Sequence, residues 1–243
     1  MPKIQNPKNK SQSPPEATLQ EILDTFSQFT KAKSQAQEQA FLCPICLLVR
    51  RSVERSLRSF FAEYVNDPRV RDELRKAHGF CNVHTPLLET LGDALAIAII
   101  YNDLTQFAIE RWENSTSNSK KFGVFRGKNR VFAAPEALCP ACISEKEATK
   151  HYVGAFVDGF FRQEVREALE NSDGFCVSHS EEVLTFAKPE DAEYFQQIEM
   201  QKLASLQKEL EEIIRKNDYR FRGEEWGTEK DAWQRALKKC TRK

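Results

Sequence analysis

One arrangement of residues restricts this chain more than any other. Cys43-Pro44-Ile45-Cys46 is followed by Gly79-Phe80-Cys81-Asn82-Val83-His84, with 34 residues between Cys46 and Cys81. Cys139-Pro140-Ala141-Cys142 is followed by Gly174-Phe175-Cys176-Val177-Ser178-His179, with 33 residues between Cys142 and Cys176. Six of the 7 cysteines and two of the 4 histidines lie inside these motifs. A Cys-x-x-Cys turn brings two sulfurs close enough to share one ion, and Cys-x-x-His does so with one sulfur and one nitrogen. The fold must therefore return the chain to its starting point twice, over a distance that accommodates a pair of helices.

The ligand types point to metal. Each copy supplies three thiols and one imidazole, a complete tetrahedral Cys3His set. The proline after the first cysteine stiffens each turn. The Gly-Phe step lets the chain reverse after a helix and offers a ring to shield the thiolates. Two Zn2+ ions per chain fit this set best, with Cys43, Cys46, Cys81, His84, Cys139, Cys142, Cys176 and His179 as ligands. An iron–sulfur cluster is the chemical alternative, since three Cys and one His can also hold one. Three thiolates and a neutral imidazole on Zn2+ carry a net charge of about minus one, which Arg50, Arg51 or Lys146 could offset. Equal spacing favours each copy binding its own ion; exchange of half-sites between copies satisfies the same ligand count. His78 and His151 have no histidine counterpart in the other copy, so both are expected off the sites, and Cys240 is a bystander.

The likeness between copies extends past the ligands. Phe156 lies 96 residues after Phe60, and Val165, Leu169, Gly174 and Phe175 lie 95 after their counterparts. This agreement predicts duplication of a whole helical unit. Phe is abundant at 17 and Gly scarce at 9, a balance suited to helices. The expected fold is an all-α bundle built from two pseudo-duplicated, metal-clamped helical repeats.

Along the chain, residues 1–15 are polar and expected to be disordered. A helix is predicted over 16–39, the first repeat over 40–113, a basic linker over 114–136 and the second repeat over 137–218. A C-terminal helix and basic tail occupy 219–243. Within the first repeat, Asp67-Pro68 reads as a cap and first helical residue, and Gly79 as the C′ residue ending that helix. Leu87 to Trp112 reads as one long helix with a buried apolar centre. Residues 189–217 carry a short leucine stripe, too brief for a coiled coil.

Lys+Arg and Asp+Glu are equal at 36 each, so no global field attracts nucleic acid or anionic lipid. The longest apolar run, Ala94 to Tyr101, is far shorter than the roughly 20 residues of a membrane span. No secretory signal is apparent, and a cytoplasmic location is expected, where paired thiols serve as metal ligands more often than as disulfides.

The chain resembles an uncharacterised family of prokaryotic proteins with the same duplicated motifs, over about residues 40–217. Val65–Arg71 and Leu91–Leu95 add to the likeness, although Gly159-Phe160-Phe161-Arg162 replaces the Val-Asn-Asp-Pro element in the second copy. The resemblance implies a helical fold and metal binding, and no activity.

Closed ligand sets and the absence of catalytic motifs favour a non-catalytic adaptor with a protein partner. A thiol-based redox or metal sensor is the alternative. Nucleic-acid binding through the linker, where Phe122, Phe125 and Phe132 stand among basic residues, is a third reading.

Overall fold

A computed structural model describes residues 16–34, 43–91, 93–119, 135, 137–221 and 223–240 of the chain. The expected disorder of 1–15 and most of the basic linker, with Phe122, Phe125 and Phe132, lie outside the described residues. The described residues form helices and no strand, as expected of an all-α fold. In chain order these are α1 (Glu16–Ser34), α2 (Pro44–Glu63), α3 (Pro68–Lys76), α4 (Thr85–Leu91) and α5 (Ala94–Ser119). They continue with α6 (Pro140–Gly159), α7 (Gln163–Glu170), α8 (Val177–Phe186), α9 (Pro189–Lys216) and α10 (Ala232–Cys240). Two 3-10 turns, Tyr219–Phe221 and Thr228–Asp231, lie between the last two helices. No helix among the described residues is long and apolar enough to cross a membrane.

The chain divides into two compact units, residues 1–49 with 149–243, and residues 50–148. The boundaries fall inside α2 and α6, so neither unit coincides with a sequence repeat.

In the first unit the core is aromatic. Phe26, Phe156, Phe175 and Phe195 are all fully buried. Phe175 stacks on Phe26 at 5.8 Å and meets Phe156 edge-on at 4.7 Å. Burying one such ring stabilises the fold by about 1.5–3 kcal/mol, so this cluster anchors the loop that carries Phe175. The helix α9 packs against α8 and α10. Its leucine stripe is half-buried apart from the buried Leu206, consistent with packing on neighbouring helices.

In the second unit Val53, Leu57 and Phe61 of α2 are buried, as are Leu74, Phe80, Leu88 and Ile100. Asp67 caps α3 as its sequence suggests, accepting from the Arg69 backbone N–H at 2.8 Å. The exit from α3 differs from expectation by one residue. His78, not Gly79, takes the C′ position, with φ 55°, and Gly79 follows with φ 89°. The Gly79 N–H bonds to the Leu74 carbonyl at 2.8 Å and the His78 N–H to that of Arg75 at 3.1 Å, which closes a Schellman motif. An N–H of the Arg111 guanidinium donates to the His78 ring at 2.8 Å.

The long helix expected from Leu87 to Trp112 is two helices. Asp93 interrupts it, because its carboxylate accepts from the Ala96 N–H at 2.9 Å and starts α5 afresh. The apolar centre is not buried all round: Leu95 is 73% exposed and only Ala96 and Ile100 are buried. The helix packs against α3, and Leu95, Ala98 and Ile109 on it are exposed. It also runs to Ser119, six residues into the stretch read as linker.

Candidate metal centres

Every ligand pair sits at the start of a helix. Pro44 and Pro140 are the first residues of α2 and α6, so Cys43 and Cys139 lie just outside and Cys46 and Cys142 in the first turn. The carbonyls of Cys43 and Cys139 accept the first helical bonds, from Leu47 and Ile143. Cys176 is the N-cap of α8, with the Ser180 N–H bonded to its carbonyl at 2.9 Å. Cys81 and His84 lie in the turn just ahead of α4, where the Cys81 carbonyl accepts from the Thr85 N–H at 2.9 Å. The i, i+3 step across a first turn places both donor atoms on one side, and the free N–H groups there favour anionic sulfur.

The pairing of the half-sites is where the structure overturns the sequence expectation. Cys43 and Cys46 meet Cys176 and His179; Cys139 and Cys142 meet Cys81 and His84. Each centre combines the thiol pair of one copy with the Cys-x-x-His of the other. All four ligands of the first centre belong to the first unit, and all four of the second centre to the second unit. Spacing alone could not tell these arrangements apart, because both copies offer interchangeable donors.

In each set the donor atoms lie within 4.8 Å of one another. At the first centre His179 Nδ1 is 3.2 Å from Cys176 Sγ, 3.3 Å from Cys46 Sγ and 3.5 Å from Cys43 Sγ. Cys46 and Cys176 sulfurs are 3.7 Å apart. At the second, His84 Nδ1 is 3.2 Å from Cys81 Sγ, 3.4 Å from Cys142 Sγ and 4.0 Å from Cys139 Sγ, and Cys81 and Cys142 are 3.6 Å apart. Tetrahedral coordination with sulfur at about 2.3 Å and nitrogen at about 2.0 Å puts donor atoms roughly 3.5–3.8 Å from one another. The donor set fits, and both clusters could hold a metal ion.

Without metal, four crowded donors compete for few charges. Burial raises the Cys43 thiol, reinforced by Cys176 and Cys46. Hydrogen bonds from Cys43 and Cys46 pull Cys176 down against its burial, with His179 assisting. Burial disfavours charge on His179, but Cys176 and Cys46 outweigh it and raise the imidazole to about 9. At the second centre burial and then the Cys81 and Cys139 sulfurs push Cys142 up to about 12. Burial opposes ionisation of Cys81 too, yet the His84 backbone and ring bring it to about 7. A bound cation would relieve this crowding by accepting all the thiolates at once.

The surroundings of the two centres differ. Cys43, Cys176 and His179 are buried and Cys46 is half-buried; at the second centre Cys81 and Cys142 are both half-buried. Behind the first centre a buried ion pair braces the ligand loop. Lys239 donates to the carbonyls of Asp173 and Phe175 and to Glu199 Oε2, at 2.9, 2.8 and 3.0 Å. Glu199 Oε1 in turn accepts from the Phe175 N–H at 2.9 Å. Gly174, with φ 77°, lies against this carboxylate so closely that a Cβ there would meet Oε1 at 2.3 Å. At the corresponding position of the second centre, Gly79 faces Leu104 at 3.1 Å. The second centre has a polar neighbour of another kind: Glu145 Oε2 is 3.4 Å from His84 Nε2.

Among the expected charge partners, Arg50 turns to Glu54 at 2.9 Å. His78 and His151 are outside both clusters, His151 lying 3.2 Å from the Thr18 hydroxyl, and Cys240 is exposed. Sequence reading missed Glu145, Glu199 and Lys239. Glu145 follows Cys142 by one helical turn, a spacing that could have revealed it; the buried pair left no local signal.

The chain is similar to "Uncharacterized 23.9 kDa protein in xynA 3'region" of Caldicellulosiruptor sp. (strain Rt8B.4), 30% identical over 181 residues, covering 73% of this chain and 83% of that protein. No solved structure matches. The model of a family of unknown function, DUF6062, matches residues 11–243, and the chain belongs to that family.

Proposed function

We propose that this protein binds two Zn2+ ions as structural centres and serves as a non-catalytic interaction module for a protein partner. The observation that carries the metal reading is the mutual closeness of four donors in each set. One tetrahedral ion needs that closeness, whereas an iron–sulfur cluster spreads its outer ligands over several irons. Three thiolates and an imidazole complete the usual shell of structural zinc and leave no position for substrate water. The duplicated motifs are read as copies of one helical unit. In support, Arg71 Nε donates to the Val65 carbonyl at 3.0 Å and Arg166 Nε, 95 residues later, to that of Phe160 at 2.8 Å.

The adaptor role follows from closed ligand sets and from the lack of catalytic motifs. Elemental analysis of protein purified anaerobically, with its absorption spectrum, tests the metal reading. Two zinc per chain without a visible band is the expected result. Iron with absorbance near 400 nm would overturn it and make redox sensing or electron transfer the leading function.

A further inference from the structure

The two centres share ligand types, but only one histidine has an acidic neighbour at the position one turn beyond the thiol pair. At the second centre His84 turns Nδ1 toward the three sulfurs and Nε2 toward Glu145, 3.4 Å away. Glu145 lies on α6 three residues after Cys142, so the helix that supplies two ligands also supplies this carboxylate. The equivalent position of the other copy, three residues after Cys46, is Val49, which is buried and has no polar side chain.

We infer that Glu145 is a positioning residue that tightens metal binding at the Cys81, His84, Cys139 and Cys142 centre by holding the His84 imidazole. The inference rests on the metal reading above. A ligating imidazole must present a bare Nδ1, which requires its proton on Nε2. A carboxylate at Nε2 accepts that proton in a hydrogen bond, fixes the tautomer and ring plane, and makes Nδ1 a better donor. His84 is buried, so water competes poorly for its Nε2–H and the carboxylate has more influence than on the surface. The more open centre thus gains a support that the other centre lacks at this position.

The test is competition for Zn2+ between a chromophoric chelator and the full-length protein, as wild type, Glu145→Val and Glu145→Gln. Glu145→Val copies the residue of the other centre. It is expected to take up two ions at saturation but release one of them at roughly 10–100-fold lower chelator activity than wild type, as loss of such outer partners commonly does. Glu145→Gln retains an acceptor oxygen without the charge and should fall between. In 15N-histidine spectra of the zinc-loaded protein, one imidazole signal should move in Glu145→Val and the other stay. A change in folding alone would move no single ring.

Two ions held by Glu145→Val as tightly as by wild type would overturn the inference and leave the metal reading intact. Should Glu145→Val not fold, Glu145→Gln decides in the same way, equal retention again counting against the role. A wild-type protein that takes up no metal would overturn the metal reading and this inference with it.

Discussion

The two candidate metal centres use the same donor types, with the thiol pair first in the chain at one and last at the other, and they are embedded differently. The first has three buried ligands, a ligand loop whose phenylalanine lies in a four-ring core, and a buried Lys239–Glu199 pair behind its backbone. The second has two half-buried thiols and a carboxylate at the far nitrogen of its histidine. Position 199 in the first unit matches position 104 in the second by the 95-residue offset, and the residues there are Glu and Leu. What the two centres share is the donor set and its close spacing, which a tetrahedral site requires. The supporting residues differ, because hydrophobic packing, an ion pair or a polar neighbour of the histidine can each steady a ligand loop.

The largest expected effect separates the centres outright. Cys176→Ser should leave the protein with one zinc per chain, and so should Cys142→Ser, because each centre takes its ligands from one unit. Structural zinc contributes on the order of 10 kcal/mol in small domains, so local unfolding of the affected unit should accompany the loss. Elemental analysis with hydrogen exchange reads both effects; loss of both ions from either variant would show that the centres are not independent.

Next comes the buried pair. Lys239→Met removes the partner of a carboxylate that is only 5% exposed, and an unpaired buried charge costs about 3–5 kcal/mol. Urea unfolding should show this, and adding Glu199→Gln should recover a substantial part. A loss below about 1 kcal/mol would mean that the pair contributes little beyond packing.

A smaller difference is expected between the two loop glycines. Both have positive φ, so alanine costs about 1–2 kcal/mol at either. Gly174→Ala should exceed Gly79→Ala, since its Cβ meets an anchored carboxylate at 2.3 Å while that of Gly79 meets a leucine methyl at 3.1 Å. Equal thermal shifts would remove the carboxylate from this account.

The smallest effect concerns the C-terminal elements that only the first unit possesses. Lys216, aided by the Gly227 backbone, holds the Glu229 carboxyl down to about 2. A lowered carboxyl stabilises the fold above its ordinary range near 4.5, and that contribution disappears as pH falls toward 2. Melting temperature should therefore decline over this window, and Glu229→Gln should flatten the decline. An unchanged acid limb would count against the Lys216 contact.

Much of this molecule was legible in residue spacing. The all-helical class followed from periodicity and scarce glycine, and the cap at Asp67 from one dipeptide. Errors arose where a polar side chain competed locally or a neighbour was remote. Asp93 split a run that looked continuous, since its carboxylate satisfies an N–H that apolar periodicity ignores. Leu95 reads as core but lies open, since burial depends on which helix packs alongside. Lys239 looks like part of a solvated basic tail, yet it is buried against the loop ahead of Cys176.

The four closely spaced donor pairs, and the start of a helix at Cys46 and at Cys142, were legible in sequence alone, because a two-residue spacer acts within a single turn and a proline follows Cys43 and Cys139. Which pair meets which was decided only by tertiary structure. Both pairings offer three sulfurs and one nitrogen, so they differ in how the helices return and in nothing the spacing records.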